Sequence, residues 1–372
     1  MKKCFAEFVT LQRGFDLPKT EMREGPFPVV GSTSIIGHHD EFKVEPPGVV
    51  TGRSGSLGTV QFLRERYWPH NTSLWVKDFK GNDPQFVYYR IQGLDFARFN
   101  AGAGVPTLNR NHLDTLELDV PPLPVQRRIA GILSAYDELM ENNQRRIRLL
   151  EAMARALYRE WFVHFRFPGH ERRSSPAGRA GGEGRAKLVT SPLGDIPQGW
   201  EVKLVKDILS RRSAGTVYRD EDVKPEGAIP VLDQSTNELL GFHDNEPDHL
   251  ASPKLPMAIF GDHTCKMQLL IEPFSVGPNV VPFAAGRELP TAYVFYAVNS
   301  LVQTQEYKRH WIPLNAKEII VADRVPAQRF ASLIQPMLVE QATLRKAIRN
   351  LRRTRDLLLP RLLSGQVEIK TN

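Results

Sequence analysis

The sequence predicts an α+β chain in which two α/β domains alternate with two long helices. Three observations carry that expectation. From Ile129, apolar or permissive residues follow a 4-3 heptad alternation: Ile129, Leu133, Tyr136, Met140, Asn143, Ile147, Leu150, Ala154, Leu157 and Trp161. Adding 201 to each number gives a second series: Phe330, Ile334, Met337, Gln341, Leu344, Ile348, Leu351, Arg355, Leu358 and Leu362. Each series follows a globular stretch of similar length, so the chain reads as a duplicated unit with pseudo-twofold symmetry.

The elements follow in order. In residues 1–122, short apolar runs are broken by Gly and Pro: Phe27-Pro-Val-Val, Gly48-Val-Val-Thr, Thr59-Val-Gln-Phe-Leu and Leu74-Trp-Val. Such runs between turn residues read as strands of a curled sheet. The stretch from Gln85 to Ile91 fits a strand or a helix. Prolines at 121, 122 and 124 close this domain and permit a helix start. A central helical region covers 123–167, with its helix from about Val125 to about Phe165. Its heptad positions alone cover about 48 Å at 1.5 Å per residue. A seam that long needs a partner, and the second helix is the available one. Asn143 interrupts the seam; a buried Asn fixes register at some cost in stability.

Residues 168–199 form a Gly- and Arg-rich linker. The second domain covers 200–325, with strand candidates at Ile229-Pro-Val-Leu, Met257-Ala-Ile-Phe, Leu269-Leu-Ile and Val280-Val-Pro-Phe. The second helical region covers 326–368, where Pro360 should kink or end the helix. The repeat extends into the domains. Pro28-Val-Val-Gly-Ser matches Pro230-Val-Leu-Asp-Gln, His39-Asp40 matches His243-Asp244, Leu108-Asn109 matches Leu314-Asn315, and Gln126 matches Gln328. A twofold repeat of this kind mirrors the dyad of a DNA duplex.

Composition bounds the partners. The chain has 372 residues, 41% hydrophobic, with a net charge of +7. That balance mildly favours a polyanion. Cys4 and Cys265 lie far apart without CxxC spacing, which argues against a zinc site or a disulfide framework. With no apolar run near the ~20 residues of a membrane span, the expected location is the cytoplasm. Catalytic signatures are missing: no Walker A loop, no methyltransferase motif, no HExxH and no convincing nuclease set.

Several motifs have both a binding and a structural reading. Gly52, Gly55 and Gly58 surround Arg53, Ser54 and Ser56. The loop could offer backbone N–H groups and a guanidinium to phosphate or base, or could be a plain turn. The stretch from Gly261 to Gln268 holds the matching place in the second half. Asp262, His263 and Cys265 lack companions at metal-ligand spacing, so no metal is expected. His263, Thr264, Lys266 and Gln268 are hydrogen-bonding candidates for DNA, with a strand-capping loop as the alternative. His70, Asn71 and Thr72 occupy a loop tip and are further DNA candidates. Trp68 and Trp75 read as core. Arg345, Lys346, Arg349, Arg352, Arg353, Arg355 and Arg361 face only Asp356 over 17 residues. This basic stretch suits DNA backbone or an acidic protein surface, and Arg355 on the seam should snorkel or pair with an acid of the first helix.

The sequence resembles the specificity (S) subunits of type I restriction–modification enzymes. The segments carrying the resemblance run from Pro121 to Leu133, from Leu193 to Val202 and from Arg353 to Gly365. It implies two target recognition domains and two helical spacers packed as an antiparallel coiled coil. It implies a bipartite double-stranded DNA target, one half per domain. It further implies a non-catalytic chain that binds no cofactor and docks two methyltransferase (M) subunits and, for cleavage, restriction (R) subunits. S-adenosylmethionine, ATP and Mg would reside on those partners. The position of the Arg53 loop matches a family loop near DNA. Two other readings are a nucleic-acid enzyme with a site in one globular half, and a coiled-coil scaffold.

Overall fold

The computed structural model describes residues 1–54, 57–96, 108, 110–168, 187–235, 239–286, 288–304, 308–367 and 369. The Gly/Arg stretch at 169–186 therefore lies outside the described residues, as do Ser56 and Asn109. The chain forms two compact units. Unit 1 comprises Met1–Asn142 with Ile348–Asn372, and unit 2 comprises Asn143–Ala347.

Unit 1 begins with β1 (Lys2–Cys4) and a one-turn helix α1 (Phe5–Phe8), followed by β2 (Thr10–Arg13), β3 (Phe27–Val30) and β4 (Ile35–His39). Then come β5 (Gly48–Gly52), β6 (Val60–Leu63), β7 (Trp68–Pro69), β8 (Ser73–Asp78), α2 (Pro84–Gln92) and β9 (Glu117–Asp119). The main sheet has the order β2-β8-β5-β6, a smaller one β4-β3-β7, and β1 pairs with β9. Its Val-rich strands suit a pleated, half-buried surface. β5 is buried along its whole length. The ambiguous stretch after Gln85 is helical for a local reason. Pro84 opens α2, and the Asp83 carboxylate accepts the Phe86 N–H at 2.9 Å.

The first long helix, α3, spans Leu123–Tyr158 and passes into a π turn over Arg159–Val163. That turn places Trp161 and its neighbour Phe162 both in the core.

Unit 2 repeats the plan of unit 1. A hairpin of β10 (Leu188–Ser191) and β11 (Gly194–Pro197) precedes β12 (Glu201–Leu204), the one-turn α4 (Val205–Ile208) and β13 (Leu209–Arg211). The rest is β14 (Ile229–Leu232), β15 (Leu239–His243), β16 (Met257–Gly261), β17 (Met267–Leu270), β18 (Ser275–Val276), β19 (Val280–Ala285), α5 (Thr291–Val298), α6 (Trp311–Asn315) and β20 (Glu318–Val321). The sheets run β13-β19-β16-β17, β15-β14-β18 and β12-β20, the same three topologies as in unit 1. Even the irregularity recurs: a register shift falls between Val29 and Val30 and again between Val231 and Leu232. His39 and His243 are both buried, and each accepts a backbone N–H at Nδ1, from Arg23 at 3.0 Å and from Asn245 at 3.1 Å. Leu108 and Leu314 are both core residues. Gln126 and Gln328 part company. Gln126 is buried and bonds Asn82, Pro121 and the Asp83 N–H, whereas Gln328 is exposed.

The second long helix, α7, spans Arg324–Leu363. Pro360 does not end it there, and Pro336 also lies within it. The carbonyls that each proline leaves without an intrahelical donor belong to Ser332 and Asp356, both solvent-exposed residues that water can reach. The helix stops before Gly365, whose φ of +73° suits a glycine C-terminal stop.

All ten heptad positions of each series are buried or half-buried. In unit 2, Phe330 packs on Phe162 (ring centroids 5.4 Å) and Trp161 (6.3 Å), while Arg345 bonds Glu151 at 3.0 Å. In unit 1, Arg355 bonds Asp137 at 2.5 Å, and Leu362 joins the core that holds Ile129 and Leu133. In both units the later residue of α3 meets the earlier residue of α7, so the helices run antiparallel. Among the described residues no helix is long and apolar enough to cross a membrane.

Candidate nucleic-acid interface

In unit 1 the chain leaving β5 meets the turn between β7 and β8. The N–H groups of Arg53 and Ser54 both donate to Thr72 O, at 3.0 and 3.3 Å. Arg53 Nη1 donates to Asn71 O at 3.3 Å, one of the five N–H donors of a guanidinium. Arg53 O accepts from Leu108 N at 2.8 Å. His70 Nδ1 lies 3.0 Å from Thr72 Oγ1, and Asn71 Nδ2 donates to the carboxylate of Asp16, which also takes Arg13 at 2.8 Å. Arg53, Ser54, His70, Asn71 and Thr72 are thus brought together, each half-buried.

One residue outside the sequence-predicted set bonds this cluster directly, and a second anchors the strand end beside it. The Ser32 hydroxyl lies 2.7 Å from Ser54 O and 2.7 Å from Thr72 O. Gln61 Nε2 donates to Gly31 O at 3.0 Å.

Unit 2 builds the equivalent place differently. Asp262 N donates to Asn279 O at 2.8 Å, matching the Arg53–Thr72 bond. His263 N donates to Gln234 Oε1 at 3.0 Å, and the Thr264 hydroxyl donates to Gln234 O at 2.9 Å. Lys266 Nζ donates to Ser235 O at 2.9 Å. His263, Thr264 and Lys266 therefore sit around Gln234, with Cys265 at a left-handed φ of +56° between them. A Cβ on Gly261 would come within 2.5 Å of Thr264 Oγ1 and 2.7 Å of Gln234 Cβ, so this close approach requires glycine. Gln268 stands apart on β17, paired across the strands with Ile259.

The Asp262 carboxylate is tied to the fold. It accepts the N–H groups of His310 (3.0 Å) and Trp311 (2.8 Å) at the start of α6. Burial raises the Cys265 thiol above its ordinary pKa, partly offset by a hydrogen bond with Thr304, so the thiol stays neutral. Among the described residues no group of three or more His, Cys, Asp or Glu could hold a metal ion.

Trp68 is buried, edge-on to His39 and Phe15, with Lys43 Nζ 4.5 Å from its ring centre. Trp75 is half-buried against Phe15. Neither ring is displayed for stacking.

The basic stretch of α7 divides in two. Arg345 bonds Glu151, and Arg355 bonds Asp137 and Asp356. Burial opposes the Arg355 charge, but the two carboxylates outweigh it and hold its pKa above the ordinary value. Asp137 also takes the Tyr89 hydroxyl at 2.5 Å; burial, then this bond, pushes the Tyr89 pKa up. Lys346, Arg349, Arg352, Arg353 and Arg361 are exposed.

Comparison with known proteins gives a consistent picture. Residues 1–152 match the family described as the type I restriction modification DNA specificity domain. The chain is 24% identical over 316 residues to the type I restriction enzyme MjaIX specificity subunit of Methanocaldococcus jannaschii, covering 77% of this chain and 69% of that one. It is 25% identical over 126 residues to a putative type I restriction enzyme specificity subunit of Haemophilus influenzae, covering 32% of this chain and only 33% of that relative. The crystal structure of a type I restriction–modification S subunit from M. genitalium superposes with a TM-score of 0.58 at 16% identity, covering 100% of this chain and 96% of that one.

Proposed function

We propose that the chain, which is similar to type I restriction–modification specificity subunits, recognises a bipartite double-stranded DNA target for such an assembly. The observation that carries this reading is the duplicated unit with two unlike loops. Identical sheet orders present Arg53 with His70, Asn71 and Thr72 in one unit, and His263, Thr264 and Lys266 in the other. Two equivalent frames with different hydrogen-bonding groups are what two different half-sites require. Base edges in the major groove are told apart by donor and acceptor pattern, and Arg and Lys also neutralise phosphates.

In this reading the chain is non-catalytic and binds no cofactor. Adenine methylation and ATP-dependent cleavage belong to two methyltransferase subunits and to restriction subunits, which carry S-adenosylmethionine, ATP and Mg. The antiparallel helices fix the half-site separation. The exposed bases Lys346, Arg349, Arg352, Arg353 and Arg361 face either the DNA spacer or an acidic surface of a partner.

Exchange of residues 1–122 for those of a relative tests the reading. Methylome sequencing of the host should show one half-site changed and the other kept. A single contiguous target, or loss of both halves together, would refute it.

A further inference from the structure

We propose that Ser32 and Gln234 are equivalent positioning residues, each latching one recognition loop and thereby setting discrimination at one half-site only. The inference rests on the DNA-recognition reading above and adds residues to it. The two occupy the same place in the repeat: β3 ends at Val30 and β14 at Leu232, and each latch stands two residues further on. Both reach across to the chain leaving the central strand, β5 or β16. Neither contributes to an apolar core cluster.

The latches work with opposite chemistry. Ser32 is a donor. Its single hydroxyl proton faces two carbonyls, Ser54 O and Thr72 O, both at 2.7 Å. Thr72 O already accepts the Arg53 and Ser54 N–H groups, so the Ser32 proton is best placed on Ser54 O. That fixes the residue next to Arg53. Gln234 is an acceptor. Its side-chain oxygen takes the His263 N–H and its backbone oxygen takes the Thr264 hydroxyl. The Thr264 oxygen in turn lies 3.4 Å from the Lys266 N, and Lys266 Nζ reaches Ser235 O. Replacing Gln234 by an apolar residue of similar shape leaves the His263 N–H without its acceptor, and a polar group so exposed to loss disorders its loop. The backbone bonds at the start of each loop keep its path, so loss of the latch shifts the loop locally by fractions of an ångström, which is enough to spoil base contacts that need fixed geometry.

The test uses the full chain, purified from its host with whatever subunits hold to it. The probe is a duplex library with randomised bases, selected for binding and sequenced. Ser32→Ala should lower preference for the first half-site about three- to tenfold, the effect of one lost hydrogen bond, and leave the second unchanged. Gln234→Met should do the converse. Ser32→Thr, which keeps the hydroxyl, should restore the first preference. The thermal midpoint separates positioning from folding: all three variants should unfold within a few degrees of the parent. If the parent selects a bipartite sequence while both variants retain both preferences, the latches are overturned and the recognition reading stands. If either variant weakens both half-sites equally, the residue supports the fold and the inference is overturned. If the parent selects no sequence, the recognition reading itself falls and the inference with it.

Discussion

The loop after β5 and the loop after β16 leave equivalent strands by an equivalent bond. Arg53 N donates to Thr72 O in one, Asp262 N to Asn279 O in the other. Beyond that bond they diverge. The first is held by a serine hydroxyl that donates; the second by a glutamine that accepts. The first offers a guanidinium beside an imidazole, an amide and a hydroxyl; the second offers an ammonium whose Nζ is already bonded to Ser235 O. Sheet order and the register shift at Val29/Val30 and Val231/Leu232 are shared, so the duplication preserves the frame around these loops, although the shift between Thr10 and Leu11 has no counterpart in unit 2. At these two loops the difference lies in side chains at the sheet ends, where a substitution changes what is presented without disturbing the core. In the proposed reading, specificity would vary in one unit without consequence for the other.

The sharpest way to break this comparison is to remove one base at a time. Arg53→Ala should lower specific binding at the first half-site by about 1–3 kcal/mol, the value of a bidentate arginine–guanine contact. Lys266→Ala should affect only the second. Affinity for variant sites at several salt concentrations decides the role. Uniform weakening with a shallower salt slope would make either residue a phosphate contact.

The two ion pairs of α7 sharpen it next. Arg355 is the more enclosed, with its side chain 15% exposed, against 40% for Arg345. Arg355→Ala should destabilise unit 1 by about 1–2 kcal/mol, because Asp137 loses its cation in a partly dry site. Arg345→Ala should cost about 0.5 kcal/mol or less. Urea unfolding of the two variants gives the ranking, and equal losses would contradict it.

A smaller effect is expected at Asn143, a half-buried amide on the seam. Asn143→Leu should preserve or slightly raise the thermal midpoint while relaxing the choice between spacer lengths. A clear fall in midpoint with unchanged spacer preference would remove its register role.

The smallest effect separates the units by pH. His249 pairs with Phe274 in unit 2 where Val44 pairs with Tyr67 in unit 1. Burial lowers the His249 pKa, partly offset by its hydrogen bond to Ala214 O and by Asp248, so the folded imidazole is neutral where the unfolded one charges. As pH falls below about 6.5, the unfolded chain binds the extra proton first. Unit 2 should therefore lose stability from that point down to the folded pKa and level off below it. Thermal midpoints of the parent and of His249→Val across that range should diverge only on the acid side.

Much of the frame was legible in the sequence. Each quoted Val- or Ile-rich run falls on a strand, because short apolar runs bounded by polar or turn residues are too short for a helix. Both heptad series lie on buried faces. Pro360 does not end the helix, which runs three residues further to Leu363; whether the carbonyl it orphans can reach water is not written locally. The helix from Pro84 was written locally, in the Asp-Pro cap just before it. The latches were in view without their role. The repeat match beginning at Pro28 and Pro230 ends on Ser32 and Gln234, but their partners lie 22 to 40 residues away, and only the folded sheet brings them close.

The division of the chain between the units bears on how it is made. Unit 2 is one continuous run, 143–347, whereas unit 1 joins 1–142 to 348–372. Leu362 and Leu363 lie in the same core as Phe5, Phe86 and Leu133. During synthesis on the ribosome the first strands of unit 1 emerge early but must wait, with part of that core uncovered, for residues translated after all of unit 2. The unit second in sequence can thus complete its core first. That division would reverse the usual N-terminal-first order of folding, leaving the early segment as the one exposed to aggregation while translation continues.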